Sequence, residues 1–396
     1  MIPYGRQAID DADVSAVLGV LKSDFLTQGP QVPAFEQAVT RYLADSPASA
    51  ESFFSVAANS ATSALHLACM ALCVGPGDRV WTCANSFAAS SNCALYCGAE
   101  VDFVDIDPDT LNISVAALAD KLARASLSGK LPKVVIPVDF AGRSAPMLEV
   151  RALADQYGFS IVQDSSHAIG SQYKGQKTGA HGLADITVFS FHPVKIITTA
   201  EGGLTVTHNK ALAERMSMLR SHGITRDTNL MEHPDAGPWH YEQLALGFNY
   251  RLTDMQAALG TSQLSKIDLF IASRHAARQI YQRALSGLAS RNLLLLPVPD
   301  EPGSPSALHL YPVQVLAGSG TTRRKVFDSM RAAGIGVNVH YLPIYLHPYY
   351  RRLGFEPGLC PNSEAYYARA ISLPMHARLE PAQQQHVVDT LELALT

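Results

Sequence analysis

Short runs of apolar and β-branched residues alternate with longer amphipathic stretches up to about residue 210. The short runs are typical of buried strands, and apolar positions recurring every three to four residues are typical of helices. Strand-like runs at residues 133–139 and 159–164, with a helical stretch at 147–157 between them, predict a βαβ unit. The alternation as a whole predicts an α/β domain with a mainly parallel sheet.

Two further strand-like runs, residues 185–191 and 203–208, are separated only by residues 192–202. This connection is too short for a helical crossover, so we expect antiparallel neighbours and a mixed sheet. A single long helix is predicted from Asp254 to about Ser286, followed by a stretch rich in proline and then by an α+β segment. We therefore expect a large domain at residues 1–265 and a smaller one at 266–396. The N-terminal segment could pack on either of them.

Composition and charge limit the classes of protein to which this chain can belong. The 396 residues are 47% hydrophobic, which is ample for a large core, and 31 basic against 35 acidic residues give a net charge of −4. Because these charges form no block, neither nucleic acid nor a membrane surface is an expected partner. The N-terminus lacks an apolar signal core, no run of eighteen apolar residues occurs, and the six cysteines form no C-x-x-C pair. A cytoplasmic protein with reduced thiols is expected.

Several common motifs are missing. The sequence contains no G-x-G-x-x-G, no G-x-S-x-G and no H-E-x-x-H. It therefore lacks the motifs of dinucleotide binding, of a hydrolase nucleophile elbow and of a zincin metal site. Gly170, Gly175 and Lys177 come nearest to a phosphate-binding loop, but no Gly-Lys pair is followed by Ser or Thr. The fourteen histidines show no metal-ligand spacing, so no metal site is predicted.

A lysine and an acid each follow a predicted strand. Residues 190–195 (SFHPVK) place Lys195 in a polar turn, where a partly desolvated amine could form a Schiff base with an aldehyde cofactor. For Lys195 alone, a surface loop position is the simpler alternative. Asp164 ends the run VQD, where its carboxylate could pair with a protonated pyridine nitrogen. The alternative for Asp164 is a helix N-cap.

A helix start provides a possible phosphate cradle. Residues 59–67 (NSATSALHL) lead from small and hydroxyl side chains into an apolar helix, whose first backbone N–H groups attract anions. An ordinary Ser or Thr N-cap explains the same pattern. Ser190 could add a hydroxyl to the phosphate, Phe87 could stack on a cofactor ring, and His167 could lie beside the ring. For Phe87 and His167, packing in the core is the alternative. Lysine, acid and cradle together predict a pyridoxal 5′-phosphate (PLP) site.

These segments resemble the DegT/StrS family of PLP-dependent sugar aminotransferases. The resemblance also covers residues 26–30 (LTQGP), 220–223 (RSHG), 247–252 (GFNYRL) and 340–343 (HYLP). It implies the type I fold of PLP-dependent transferases, similar to aspartate aminotransferase. One departure is Ala200, where many relatives have glycine, which leaves the lysine loop less free.

The resemblance also implies roles for individual residues. Lys195 and Asp164 are the expected catalytic pair. The expected cofactor-binding residues are Ala61, Thr62, Phe87, Asp164, His167, Ser190, Lys195 and Asn249. Asn249 would reach the cofactor of a neighbouring subunit, so a homodimer with shared sites is expected. Four further residues are expected to line the sugar pocket, with packing near prolines as the alternative: His192, Tyr311, His340 and Tyr341.

The resemblance further implies the reaction. We expect transfer of an amino group from L-glutamate to C4 of a UDP-linked 4-keto-6-deoxy-N-acetylhexosamine, since Lys195 is present where dehydratases of the family have histidine. Alternative acceptors are UDP-4-keto-arabinose and a dTDP-4-keto-6-deoxyhexose. A PLP-binding regulator without turnover is the alternative from a different class of protein.

Overall fold

The computed structural model describes residues 1–396 except for the side chains of Pro47 and Ser319. Its strands are β1 (Ile2–Pro3), β2 (Phe54–Ala58), β3 (Arg79–Cys83), β4 (Glu100–Val104), β5 (Val134–Ile136), β6 (Ser160–Asp164), β7 (Gln172–Tyr173), β8 (Gln176–Lys177), β9 (Ile186–Ser190), β10 (Gly203–Thr207), β11 (Ile224–Thr225), β12 (Glu242–Gln243), β13 (Leu294–Leu295), β14 (Tyr311–Val315), β15 (Ile335–Gly336) and β16 (Ala370–Leu373).

The α-helices are α1 (Asp11–Leu21), α2 (Gln31–Leu43), α3 (Pro47–Ala50), α4 (Ala61–Ala71), α5 (Ala89–Tyr96), α6 (Val115–Leu127), α7 (Met147–Tyr157), α8 (Lys210–Arg220), α9 (Asp254–Leu264), α10 (Ile267–Ser290), α11 (Arg323–Ala332), α12 (Pro348–Arg352), α13 (Pro361–Arg369) and α14 (Pro381–Leu395). Short 3₁₀ turns lie at Phe140–Gly142, Pro234–Ala236, Ala317–Ser319 and Ile344–Leu346.

A seven-stranded sheet forms the centre of the larger part of the molecule, in the order β2-β10-β9-β6-β5-β3-β4. Strand β10 is antiparallel to both its neighbours, and the remaining pairs are parallel. The prediction of a mixed, mainly parallel sheet is confirmed, including the antiparallel pair β9–β10 and the unit β5-α7-β6. In β5, Val134 and Ile136 pack into one apolar cluster and Val135 into another, so the sheet is buried on both faces.

A second, three-stranded antiparallel sheet lies in the C-terminal part, in the order β13-β14-β16. Helices α10, α11 and α14 contribute to the apolar core beside it. The N-terminal strand β1 pairs in parallel with β15 of this C-terminal part. The first residues of the chain therefore lie against its last third. The domain boundary at residues 265 and 266 stays a prediction.

The prediction of one long helix from Asp254 to about Ser286 is wrong, because the helix is interrupted at Ser265 and Lys266. Buried Asp13 lies beside this break. Its carboxylate accepts from Ser262 Oγ at 2.6 Å and from Gln263 Nε2 at 2.7 Å, and it pairs with Lys266 Nζ at 2.8 Å. We attribute the break to these contacts with the start of α1, which periodicity along the chain does not record.

No helix in the described part of the chain is both long and apolar enough to cross a bilayer. Each of the six cysteines is a free thiol.

Candidate active site

Lys195 lies in the turn that follows β9. Its backbone N–H donates to the carbonyl of His192 at 2.9 Å, and Thr199 N–H donates to the carbonyl of Phe191 at 3.0 Å, which closes the turn. The amine is partly buried, and this desolvation lowers the pKa of Lys195 to about 8. The negative charge of the Asp164 carboxylate acts in the opposite direction and raises this pKa. An amine with this pKa is partly unprotonated near neutral pH, as a nucleophile must be.

Asp164 is the last residue of β6 and is 4% exposed. Its Oδ2 accepts from Ser90 Oγ at 2.6 Å, and its Oδ1 accepts from the backbone N–H of Ser166 at 3.1 Å. No helix begins at the residues that follow, so the N-cap alternative is wrong. The carboxylate instead lies close enough to Lys195 to oppose the lowering of the amine pKa.

His167 lies beside Lys195 in a buried cluster of rings. Its centroid is 4.4 Å from that of His309 and 6.2 Å from that of Tyr341. Burial is the main cause that lowers the pKa of His167 well below its ordinary value, and the charge of Lys195 adds to it. The same causes lower the pKa of His309, and burial lowers the pKa of His340 to about 3. These rings are therefore neutral near pH 7.

The helix start at residues 60–62 has the form of an anion cradle. Ser60 is the N-cap of α4, and its Oγ accepts from Ser63 N–H at 3.1 Å, so the N-cap interpretation is confirmed for this residue. The backbone N–H groups of Ala61 and Thr62 belong to the first turn, which has no acceptors of its own within the helix. A Cβ on Gly203 would lie 2.5 Å from the nitrogen of Ala61, so only glycine allows β10 to approach this helix start.

Ser190 is a further candidate for this cradle, because its strand β9 pairs with β10. It is 7% exposed and pairs directly with Gly203 across β9 and β10. Paired residues of neighbouring strands face the same side of a sheet, so the Ser190 side chain lies on the face where Gly203 approaches Ala61. A shared role of Ala61, Thr62 and Ser190 in holding a phosphate stays a prediction.

Phe87 and Tyr341 lie next to each other. The Phe87 side chain is 62% exposed, and its ring centroid is 6.5 Å from that of Tyr341. The core alternative for Phe87 is therefore wrong. Tyr341 N–H donates to Asn85 Oδ1 at 3.1 Å, whereas Asn85 Nδ2 is buried without a partner among the described residues. His340 is fixed by a contact of 2.8 Å between its Nδ1 and Ser372 Oγ.

Three predicted residues stand apart from this group. His192 is on the lysine turn but exposed, 3.9 Å from Glu201. Tyr311 is the first residue of β14 and lies in the core, with its ring stacked on Tyr281 at 5.0 Å. Asn249 is exposed, and its carbonyl accepts from Asn59 Nδ2 at 3.4 Å. Roles for these side chains in binding stay predictions.

Sequence reasoning did not identify Ser90, Asn85 or His309 as site residues. Ser90 lies in a stretch rich in Ala and Ser that suggests only tight packing, although Ser86 and Ser90 have the spacing of one helical turn. His309 stands two positions before Tyr311, in the same short segment. No sequence signal shows that Ser90 reaches Asp164 or that His309 lies near Lys195.

The residues present fit a pyridoxal phosphate. A partly desolvated amine and a carboxylate are close together, a helix N-terminus offers backbone donors, and an aromatic ring is exposed. Asn85 Nδ2 adds a buried donor with no partner in the described part of the chain. No group of three His, Cys, Asp or Glu side chains that could hold a metal ion occurs in the part of the chain that the structure describes.

Comparison with known proteins agrees with this geometry. The model of the DegT/DnrJ/EryC1/StrS aminotransferase family matches residues 7–392. A Campylobacter jejuni protein, UDP-4-amino-4,6-dideoxy-N-acetyl-β-L-altrosamine transaminase, is 38% identical over 392 residues, which cover 99% of this chain and 96% of the relative.

Solved structures with the same fold include PseC of Helicobacter pylori, an aminotransferase involved in the biosynthesis of pseudaminic acid. It is 32% identical with a TM-score of 0.87, covering 100% of this chain and 99% of PseC. Spr1654 of Streptococcus pneumoniae, solved in a PLP form, is 29% identical with a TM-score of 0.85, covering 100% of this chain and 98% of that chain.

Proposed function

The chain belongs to the DegT/DnrJ/EryC1/StrS aminotransferase family, and on that premise we propose the substrates it acts on. It is a PLP-dependent sugar aminotransferase with the type I fold. We propose that L-glutamate is the amino donor and that the acceptor is UDP-2-acetamido-2,6-dideoxy-β-L-arabino-hex-4-ulose, aminated at C4 for pseudaminic acid synthesis. The choice of sugar rests on one observation: a relative named for this transamination is 38% identical along almost the whole chain.

When bound, PLP supplies an aldehyde that takes up amino groups and a ring that delocalises negative charge. We propose that the Lys195 amine binds the aldehyde and moves the proton in both half-reactions, which its pKa of about 8 allows near neutral pH. Asp164 would accept a hydrogen bond from the protonated ring nitrogen. It is suited to this role because it is buried beside the amine and already fixed by Ser90 and Ser166.

The remaining predicted residues bind and orient. The N–H groups of Ala61 and Thr62, with the Ser190 hydroxyl, hold the phosphate. Phe87 would cover one face of the ring, a role that suits an exposed phenylalanine next to Tyr341. His167, kept neutral by burial, lies next to the ring without adding a charge that would compete with Lys195.

We further propose a homodimer in which Asn249 completes the partner's site. Large apolar side chains are exposed on the segment before it: Trp239 is 75% exposed and Leu246 is 79% exposed. Such a surface suits contact with a second copy. Mixing an inactive Lys195→Ala variant with an inactive Asn249→Ala variant should restore part of the activity, because one site in the mixed dimer is intact. Absence of activity in verified mixed dimers would contradict shared sites.

We propose a cytoplasmic location, which the six free cysteines support because cytosolic thiols are kept reduced.

The choice of sugar is tested by identifying products with NMR. The protein is incubated with PLP, L-glutamate and each of three acceptors: the UDP-linked 4-keto-6-deoxy-N-acetylhexosamine, UDP-4-keto-arabinose and a dTDP-4-keto-6-deoxyhexose. We expect a 4-amino product from the first. Preferred turnover of another sugar would replace the proposed substrate, and PLP binding without any turnover would favour the regulator. Lys195→Ala should remove turnover, and Lys210→Ala, at an exposed lysine on α8, is the matched control.

A further inference from the structure

Two buried serine hydroxyls form a chain that ends on the Asp164 carboxylate. Ser86 Oγ lies 2.7 Å from Ser90 Oγ, and Ser90 Oγ lies 2.6 Å from Asp164 Oδ2. Ser86 and Asp164 are each 4% exposed, and Ser90 is fully buried. Water therefore does not compete for these contacts.

The chemistry of the groups fixes the direction of the hydrogen bonds. An ionised carboxylate only accepts, so Ser90 must donate its single hydroxyl proton to Asp164. The Ser90 oxygen is then free to accept from Ser86. The result is a chain of donors, Ser86 to Ser90 to Asp164, whose last hydrogen bond is of the strong, charge-assisted kind.

Ser90 and Ser166 together prevent rotation of the carboxylate. One oxygen is held by the Ser90 hydroxyl at 2.6 Å and the other by the Ser166 N–H at 3.1 Å. Ser90 is itself fixed, because it stands in the first turn of α5 and its N–H donates to the carbonyl of Phe87 at 3.1 Å. The segment that carries Phe87 thus also carries the group that holds Asp164.

We propose that Ser90 is a positioning residue for the transamination, holding Asp164 in the orientation that meets the ring nitrogen of PLP, and that Ser86 orients Ser90. The inference rests on the proposed function of Asp164. Without Ser90, one carboxylate oxygen loses its partner and the group can turn away from the ring.

Ser91 provides a matched control in the next position of the same helix. It is also fully buried, and its Oγ donates to the carbonyl of Ala88 at 3.0 Å and lies 2.5 Å from the Tyr350 hydroxyl. Its removal deletes a buried hydroxyl from α5 without touching Asp164. Any general effect of such a deletion on folding should therefore appear in both variants.

The test compares Ser90→Ala, Ser90→Thr and Ser91→Ala in the full chain. Three quantities are measured: the dissociation constant of PLP, the pH dependence of the visible absorption of the PLP-bound protein, and the single-turnover rate with L-glutamate. Ser90→Ala should weaken PLP binding and slow the glutamate half-reaction by about 10- to 100-fold, the loss expected for a hydrogen bond to a charged group. It should also shift the pH dependence of the absorption. Ser90→Thr keeps the hydroxyl and should restore most of each property.

Ser86→Ala should have a smaller effect that disappears when Ser90 is already alanine, because Ser86 acts only through Ser90. Equal effects of Ser90→Ala and Ser91→Ala, or no recovery in Ser90→Thr, would overturn the inference. None of these measurements uses a keto sugar, so a wrong choice of sugar leaves them unchanged. A wild-type protein that binds no PLP would instead overturn the proposed function together with this inference.

Discussion

His167 Nε2 lies 3.2 Å from the hydroxyl oxygen of Tyr341, across 174 positions of the sequence. The backbone N–H of Ala141 donates to the other ring nitrogen, Nδ1, at 3.3 Å. Because Nδ1 accepts, the neutral ring carries its proton on Nε2 and donates it to Tyr341. The phenolic proton of Tyr341 is then available to an acceptor in the site.

Tyr341→Phe should therefore leave the His167 N–H buried without an acceptor. We expect a loss of about 1–3 kcal/mol in the free energy of unfolding of the PLP-free protein, measured with urea. Tyr366→Phe is the control, because the Tyr366 hydroxyl is buried without a partner among the described residues. Its removal should be neutral or stabilising. A loss in Tyr366→Phe as large as that in Tyr341→Phe would contradict the assigned hydrogen bond.

The lowered pKa of Lys195 predicts how PLP capture depends on pH. Only the neutral amine attacks an aldehyde, so capture by the PLP-free protein should accelerate as the pH rises through about 8. Stopped-flow absorbance at a series of pH values measures this rate. A midpoint near 10.4, the ordinary value for lysine, would show that the amine is solvated rather than buried.

Asp164→Asn should move that midpoint downward. The carboxylate favours the charged amine and so raises the pKa of Lys195, and the amide lacks this charge. Capture at pH 7 should be faster in the variant, although later steps that need the ring nitrogen protonated should be slower. Glu201→Gln, an exposed carboxylate near His192, is a suitable control. An unchanged midpoint in Asp164→Asn would mean that the two groups do not interact.

Much of the fold could be predicted from local patterns. The eleven positions 192–202 are too few for a crossover helix, and β9 and β10 are accordingly antiparallel. The helix start at Ser60 follows from the preference of serine for the N-cap, and α4 begins at Ala61. Both features depend only on residues that are close in sequence.

The supporting contacts of the site could not be predicted in this way. Ser90 reaches Asp164 across 74 positions, and Tyr341 reaches His167 across 174. These pairs depend on how the helices and the C-terminal part pack, which periodicity does not encode. For Tyr311, which is expected to line the sugar pocket, the structure shows the ring stacked on Tyr281, and a role in binding stays a prediction.

Ala200 supports a prediction about the lysine loop. Its φ of 67° lies in the left-handed region, which costs free energy for any residue with a Cβ. Ala200→Gly should therefore raise the free energy of unfolding by about 0.5–1 kcal/mol, measured by urea denaturation. The same substitution at exposed Ala276, inside α10, should lower stability by about 1 kcal/mol. A lower free energy of unfolding in both variants would show that glycine at position 200 does not stabilise the lysine loop.

His376 predicts part of the acid sensitivity of the protein. It is 3% exposed, and burial together with the charges of Arg274 and Arg6 lowers its pKa to about 4, although the Pro3 backbone acts in the opposite direction. The unfolded chain, with an ordinary histidine pKa near 6.5, binds the proton more readily. The contribution of the neutral ring to stability is therefore complete above about pH 6.5 and is lost as the pH falls towards 4.

Replacing His376 with glutamine should remove the contribution of this ring to the pH dependence of the free energy of unfolding. Between pH 6 and pH 4.5 the free energy of unfolding of the wild type should fall more steeply than that of His376→Gln, by up to about 1.4 kcal/mol per pH unit. Urea unfolding at several pH values measures both slopes, and the difference between them cancels every other titrating group that the two proteins share. Parallel curves for the two proteins would mean that His376 takes up its proton equally in the folded and unfolded states, and hence that the ring is hydrated in the native structure.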